Sequence, residues 1–365
     1  MASRVAFRVD ASLKIGTGHV MRCLTLATEL SLDGFDCFFI CQNLPGNLIS
    51  EIQRAGFFVE VLFLASDPMS LEIDPVTSIA HFERCWRQDA AETFSKLDGS
   101  IDWLILDHYY LDDRWEKIVY KKCKQLMVID DLANRRHCCD LLLDQNLGRL
   151  GQDYQGLIPD SAKLLIGPAY ALLRPVFSRL REDSIVFRKQ KNRIHRLIIS
   201  MGGIDLDNYT LKVLEELKNC GLPPEFEVDV IMGANAPWTN SVQSFANKMP
   251  WKTQILVGVP NMAELMAKAD LAIGAAGSTS WERCCLGLPT FLCVLADNQS
   301  LVAEKLTALG AARQIDWVTE SENRLCSLME WASDANNLSN LSERSMDICD
   351  GLGVYRIINE IKTYQ

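Results

Sequence analysis

The chain has 365 residues, 48% of them hydrophobic and 23% charged, with 47 acidic against 37 basic side chains and a formal net charge of −10. At about 100–200 residues per domain, that length predicts two domains, each able to bury a core. The acidic balance, without a dense Lys/Arg run, excludes nucleic acid as a main partner. No apolar run reaches the roughly 18 residues of a membrane helix, so no membrane insertion is expected.

The start, "MASRVAFRVD", runs directly into a strand with no apolar segment after a basic one, which predicts a cytoplasmic protein. Thirteen cysteines include no C-x-x-C pair, and two pairs (Cys138–Cys139, Cys284–Cys285) are adjacent. That spacing fits reduced core thiols, not zinc ligands or a disulfide framework.

Short apolar runs alternate with helical patterns throughout, the grammar of βαβ units and a mainly parallel sheet. Strands are predicted at Val5–Val9, Cys37–Cys41, Phe58–Leu62, Trp103–Leu106, Gln125–Ile129 and Leu141–Leu143. "LLIGPAYALLRPVF" (Leu164 to Phe177) reads as a last strand turning into a connecting helix. "RKQKNR" (Arg188 to Arg193) reads as a solvated linker. The grammar then restarts: a strand at Leu197–Met201, Gly202–Gly203, a helix from about Asn208, and further units through "EVDVIMG", "QILVGV", "DLAIGAAG" and "PTFLCVL". The expected fold is α/β, two Rossmann-like domains with mainly parallel sheets facing a central cleft. The expected divisions are residues 1–175, a connection over 176–193, a second domain over 194–345, and a terminal helical segment over 346–365 packing back on the first domain.

Ligands of such sheets bind beyond the carboxyl ends of the strands, so the loops there carry the chemistry. Gly16-Thr17-Gly18-His19-Val20-Met21 holds two glycines of a dinucleotide fingerprint, but Met21 takes the third glycine's place. The second strand ends in Cys41-Gln42-Asn43, with no acid for a ribose, so NAD or FAD is not expected as a cofactor. No Walker-type phosphate loop occurs. Both glycine loops can still offer backbone N–H groups and a helix N-terminus to an anion, or simply make tight turns.

Two of the five histidines, His19 and His108, follow strand ends facing the expected cleft. His19 lies in the first turn of its helix, where the dipole disfavours a second positive charge. A neutral imidazole there can act as a general base, or only cap the loop or bind ligand. Asp10 and Asp107, each at a strand end, are candidates to orient its ring. Asp130–Asp131 read as a loop cap plus one cleft-facing acid. His81 and His195 read as surface or packing residues, and His137 beside Cys138–Cys139 lacks metal-ligand spacing. In the second half, "GAAGSTSWERCCLGLP" (Gly274 to Pro289) ends a strand in small residues. There Ser278 or Thr279 can cap the helix, and Glu282 in its first turn can accept ribose hydroxyls or act as a capping partner. "ADNQ" (Ala296 to Gln299) brings Asn298 and Gln299 amides to the start of the next helix.

Taken in order, "FRVDASLKIGTGHVMRC", "LDHYYLD", "VIDDLANRRHCCDLLLDQN", "YQGL", "GPAYALLR", "SMGGIDLDN" and "GSTSWERCCLGLPT…DNQ" cover most of the chain. With them the chain resembles the PseG family, the UDP-2,4-diacetamido-2,4,6-trideoxy-β-L-altropyranose hydrolases of pseudaminic acid biosynthesis, relatives of the MurG-type glycosyltransferases. The resemblance implies a GT-B architecture and a UDP-sugar substrate. It further implies inverting attack of water at the anomeric carbon, release of UDP, and neither cofactor nor metal. It also implies that His19 is the catalytic base; Gly18 and Arg22, in the same loop and helix, are expected to bind substrate. Gly202 and Gly203 would face the diphosphate, Val259–Met262 the uracil, and Glu282 the ribose; Ser278 is a further candidate for substrate binding. Tyr109, Tyr170 and Asn298 would lie near the sugar or its phosphates, where the Gln299 amide is also a candidate to reach. Some relatives carry asparagine just before that glutamate, where this chain has Trp281. A monomer is expected.

Overall fold

Apolar runs of four to seven residues, too short for buried helices, become the strands of two parallel sheets. The computed structural model describes residues 2–63, 75–191, 193–317 and 323–364. The chain divides into one unit of Met1–Gln145, Arg149–Leu172 and Val354–Gln365, and a second of Asn146–Gly148 and Leu173–Gly353.

In the first unit the strands are β1 (Arg4–Val9), β2 (Asp36–Gln42), β3 (Phe58–Leu62), β4 (Ile101–Asp107), β5 (Cys123–Ile129), β6 (Leu141–Asp144) and β7 (Lys163–Ile166). They pair in parallel in the order β3-β2-β1-β4-β5-β6-β7. The helices between them are α1 (Gly18–Leu32), α2 (Ile49–Arg54), α3 (Pro75–Lys96) and α4 (Asp113–Val119). The order reverses between β1 and β4, the switch point at which doubly wound sheets bind ligands.

The register decides what each strand end offers. Val9 pairs with Asp107, Asp107 with Ile129, and Ile129 with Leu143. Side chains alternate faces along a strand, and paired residues share a face. Asp107 therefore lies on the face of Phe7, Val9, Ile129 and Leu143, the face buried against Val20, Cys23 and Leu26 of α1. Asp10, Asp130 and Asp144 each stand one residue further along and fall on the opposite face, with Leu106, Val128, Trp115 of α4 and Tyr154.

The second unit follows the same plan with α5 (Pro175–Lys189), β8 (Arg196–Ser200), α6 (Tyr209–Lys218), β9 (Glu227–Met232), α7 (Thr239–Ala246), β10 (Lys252–Val257) and α8 (Met262–Lys268). It continues through β11 (Leu271–Ala275), α9 (Thr279–Cys285), β12 (Thr290–Cys293), α10 (Ser300–Ala308), β13 (Arg313–Gln314), α11 (Arg324–Ala332) and α12 (Ala335–Met346). Its sheet is also parallel, ordered β10-β9-β8-β11-β12-β13, with its switch point between β8 and β11. The two-residue β13 carries too little apolar signal to be foreseen. The last helix, α13 (Gly353–Lys362), buries Val354, Ile357, Ile358 and Ile361 in the first unit's core.

Two sequence expectations are corrected here. Arg188, expected in a solvated linker, is 8% exposed and donates to the carbonyls of Leu286 (2.9 Å), Ala269 (2.5 Å) and Met266 (2.9 Å). These carbonyls end α9 and α8, where helix termini run short of backbone donors; Met266 also accepts from the Ala269 N–H and Leu286 from the Ser184 hydroxyl, so the Ala269 carbonyl depends most on the guanidinium. Arg188→Met is therefore expected to lower stability by about 1–3 kcal/mol, the cost of stranding one buried acceptor, the Ala269 carbonyl. Denaturant titration checks this, and a loss within 0.5 kcal/mol (roughly the surface-substitution range) would contradict it. The second correction concerns the thiols. Cys220 and Cys326 form a disulfide, joining the end of α6 to α11 across 106 residues, a separation that leaves no sequence pattern. The other ten described cysteines outside that pair are free.

Candidate active site

The turn after β1 is closed by the bridge between Ser12 and Gly16, and Ser12 Oγ accepts from the N–H groups of Lys14 and Ile15. Gly16 sits at φ 82°, in the left-handed region that favours glycine. The chain then enters α1 at Gly18, which is exposed, with no side chain capping from Thr17. His19 and Arg22 stand three residues apart, on one helix face.

That face meets the end of β4. His19 Nδ1 lies 2.5 Å from Asp107 Oδ1. Arg22 donates to both oxygens of the same carboxylate, from Nε at 2.6 Å and Nη2 at 2.7 Å. Burial works against charge on Asp107, but Arg22 and then His19 outweigh it and hold the carboxyl well below the usual carboxylate range. An ionised carboxylate only accepts, so Nδ1 of His19 carries the proton and donates it. The other ring nitrogen makes no hydrogen bond to any described residue. His19 lines a small hollow with Asp10, Ile15, Asp107, His108, Tyr109 and Tyr110. Tyr109 packs edge-on against the His19 ring, with centroids 4.4 Å apart. Its hydroxyl donates to Asp131 at 3.2 Å, and Arg22 reaches Asp131 at 3.0 and 2.9 Å.

Asp10 does not orient His19, contrary to expectation. It lies on the opposite sheet face together with Arg8, two residues before it on the same strand. Arg8 Nη1 donates to Asp10 at 2.7 Å, and Nη2 to Asp89 of α3 at 2.5 Å. Burial opposes charge on Asp10, and Arg8 and then His108 override it, holding its carboxyl well below the ordinary value. His108 is the mirror case of His19. Its Nδ1 accepts from the Tyr110 N–H at 3.1 Å, so Nε2 carries the proton, 3.4 Å from Asp10. Burial lowers its pKa despite Asp10. With Nδ1 taken by the Tyr110 amide and Nε2 facing the Asp10 carboxylate, His108 is the worse placed of the two to act as a base; His19 is the better.

Asp130 and Asp131 separate as the register requires. Asp130 accepts from the Ala133 N–H, Arg135 and Tyr154, the loop cap read from the sequence. Asp131 joins Arg22 and Tyr109, and the sequence alone does not name it for that place. Arg22, expected to touch substrate, is spent on Asp107 and Asp131. No hydrogen bond or ring contact among the described residues joins Tyr170 to this group; it sits in a short turn (Pro168–Tyr170) against the first unit's core. His137 is buried with Nδ1 2.6 Å from Glu116, His195 precedes β8, and the His81 side chain lies outside the described residues. Among the described residues no three His, Cys, Asp or Glu side chains are placed to hold a metal ion.

In the second unit the loops after β8 and β11 flank the switch point. Gly202, at φ 86° and exposed, begins the first of them with Gly203. The expectation that a helix N-terminus adjoins these glycines fails. Five residues intervene before α6, and its first N–H groups are already taken: Asp205 accepts from Tyr209 and Thr210, and Asn208 from Leu211. Only the loop's own amides remain for an anion. At α9, Ser278 is the exposed N-cap residue, but its side chain makes no capping bond. Glu282 lies in the first turn, and burial lifts its carboxyl to about 7, with Arg174 and then Arg283 offsetting only part. Arg174, not foreseen, also donates to the Pro260 carbonyl at 3.0 Å, tying the Val259–Met262 segment to the start of α5. Met262 opens α8. Gln299 Oε1 accepts from the Leu295 N–H at 3.0 Å, which fixes the turn holding the exposed Asn298. Trp281 is 2% exposed and packs inward.

Comparison with known proteins places the fold in a class. Residues 200–348 match the glycosyltransferase family 28 C-terminal domain. The whole chain shares its fold with solved GT-B glycosyltransferases. MurG of Acinetobacter baumannii is 15% identical with a TM-score of 0.67, covering 99% of each chain. LpCGTa, solved in complex with UDP, is 13% identical with a TM-score of 0.60, again covering 99% of each. At the level of sequence, the chain is 28% identical over 275 residues to the UDP-2,4-diacetamido-2,4,6-trideoxy-β-L-altropyranose hydrolase of Campylobacter jejuni, covering 75% of this chain and 85% of that one. The resemblance read from the motifs is borne out. Among the described residues no helix is long and apolar enough to cross a membrane.

Proposed function

We propose that the chain is a nucleotide-sugar hydrolase that releases UDP and a free 2,4-diacetamido-2,4,6-trideoxy-L-altrose, in the cytoplasm and without a metal. The observation that carries this reading is the His19–Asp107 pair at the first sheet's switch point, with one ring nitrogen donated and the other open. Asp107 fixes the ring and its tautomer, the role of the acid in a carboxylate–histidine pair. The open nitrogen of His19 takes a proton from water as the water oxygen bonds to the anomeric carbon. The bond from that carbon to the diphosphate oxygen breaks, and UDP leaves with the electron pair, inverting the centre. The likeness to the Campylobacter hydrolase supports this substrate and outcome. In the second unit the amides of Gly202 and Gly203 would stabilise the leaving diphosphate. The Val259–Met262 segment would hold the base, Glu282 the ribose, and Ser278, Asn298 and Gln299 the phosphates or sugar. UDP release without an acceptor, with EDTA present, tests the reading; turnover only when an acceptor is added would overturn it. The match to a glycosyltransferase domain favours, as a second reading, transfer to an acceptor hydroxyl that His19 would deprotonate.

Glu282 gives this reading a pH dependence. Ribose hydroxyls donate, and the carboxylate accepts them more strongly than the neutral acid; in the free protein it forms only as pH rises through about 7. UDP affinity is expected to weaken by up to about tenfold per pH unit below that point, and Glu282→Gln to flatten the dependence. The folded free chain holds this proton where the unfolded chain, near 4.5, has lost it. That contribution to stability is therefore complete below 4.5 and lost as pH rises through about 7. Calorimetric UDP titration across this range checks the first effect; a flat profile in the parent protein would contradict it.

A further inference from the structure

Five side chains, His19 among them, close into a circuit. His19 meets Asp107, Asp107 meets Arg22, Arg22 meets Asp131, Asp131 meets the Tyr109 hydroxyl, and the Tyr109 ring returns to His19. We propose that Asp131 is the positioning residue of this circuit, one carboxylate that holds the His19 ring through two separate partners. Through Arg22 it aims the guanidinium that grips both oxygens of Asp107. Through Tyr109 it sets the ring that lies edge-on against the imidazole. The proposal deepens the hydrolase reading and rests on it for its kinetic part.

Three observations support it. Asp131 is itself held, because Arg149 donates to its backbone carbonyl at 2.9 Å while its own Nε donates to Asp144 at 2.7 Å. Its neighbour Asp130 faces the other side of the sheet and caps a loop, so the two adjacent acids are not a paired site. The charges also fit the reaction. Asp107 and Asp131 ionised, with Arg22 protonated, leave one net negative charge around the ring, and a proton arriving on His19 brings the group to neutrality. Both carboxylates therefore favour the charge that develops on the imidazole as water is deprotonated, an effect confined to the transition state.

Asp131→Asn in the full chain is expected to lower kcat by about 10–100-fold with KM within about twofold, the signature of an interaction lost only in the transition state. Nitrogen NMR of the labelled protein should show the His19 ring passing from one tautomer to a mixture. Tyr109→Phe, which keeps the ring and the charges, should lower kcat by a smaller factor, about 3–10-fold, and covers the case in which Asp131→Asn does not fold. An unchanged kcat with an unchanged tautomer would overturn the proposal. So would a rise in KM alone, which would make Asp131 a substrate ligand. Should the protein turn out not to hydrolyse UDP-sugars, the NMR result still decides whether Asp131 governs the ring, so the two failures are separable.

Discussion

His19→Asn is expected to lower kcat by about 100–10,000-fold while leaving UDP affinity nearly unchanged. Asparagine preserves a polar group near the Asp107 carboxylate but cannot take a proton from water. The residues proposed to hold UDP belong to the second unit, and His19 to the first, so the loss should fall on the chemical step. Loss of UDP binding with unchanged turnover of bound substrate would remove His19 from the role of base. The substitution is also mild for the fold, since the His19 side chain is 6% exposed at the edge of the hollow and not part of the apolar core.

Asp107→Asn is expected to cost as much in rate, about 1,000–10,000-fold in kcat, by a different route. An amide can present its N–H to His19 and turn the ring to the tautomer that places a proton on the open nitrogen, where it blocks base catalysis. Unlike the His19 variant, this one should also lose stability, because Asp107 is 1% exposed and neutralises a buried arginine. Removing one member of a buried pair costs about 3–5 kcal/mol. Asp131, which also holds Arg22, should limit the loss to about 2–4 kcal/mol, short of unfolding a domain with an ordinary stability of about 5–15 kcal/mol. Kinetics and denaturant titration on the same preparation separate the effects. A variant of full stability and full rate would show that the carboxylate neither fixes the ring nor balances Arg22.

The strands were legible because parallel strands buried on both faces are continuous apolar runs, as in "WLIL" of β4 and "LAIGA" at β11. His19 and Asp107 were legible as strand-end residues. The choice between Asp107 and Asp10 was not, because it turns on a single residue of register: Val9, not Asp10, pairs with Asp107. The same parity sends Asp131 toward His19 and Asp130 away from it, which no local pattern around "VIDDLAN" reveals. Arg22 looked available to substrate because its two acceptors stand 85 and 109 residues away in sequence. In the second unit, the glycine loop was legible but its helix terminus was misjudged, since Asp205 and Asn208 occupy those amides through side-chain geometry. Arg188 was misread for a related reason: a charge run is normally solvated, and only the assembled helix ends show the carbonyls that this one serves.

The central claim is that His19 directs water to the anomeric carbon of a UDP-sugar. The most direct measurement is turnover of the UDP-linked diacetamido sugar in water enriched in heavy oxygen, with EDTA and no acceptor, followed by mass analysis of the UDP. Attack at carbon leaves the diphosphate oxygens in place, so rapid release of unlabelled UDP, abolished in His19→Asn, is the predicted result. Heavy oxygen in the UDP would show attack at phosphorus, and no release without an acceptor would show a transferase; either contradicts the account.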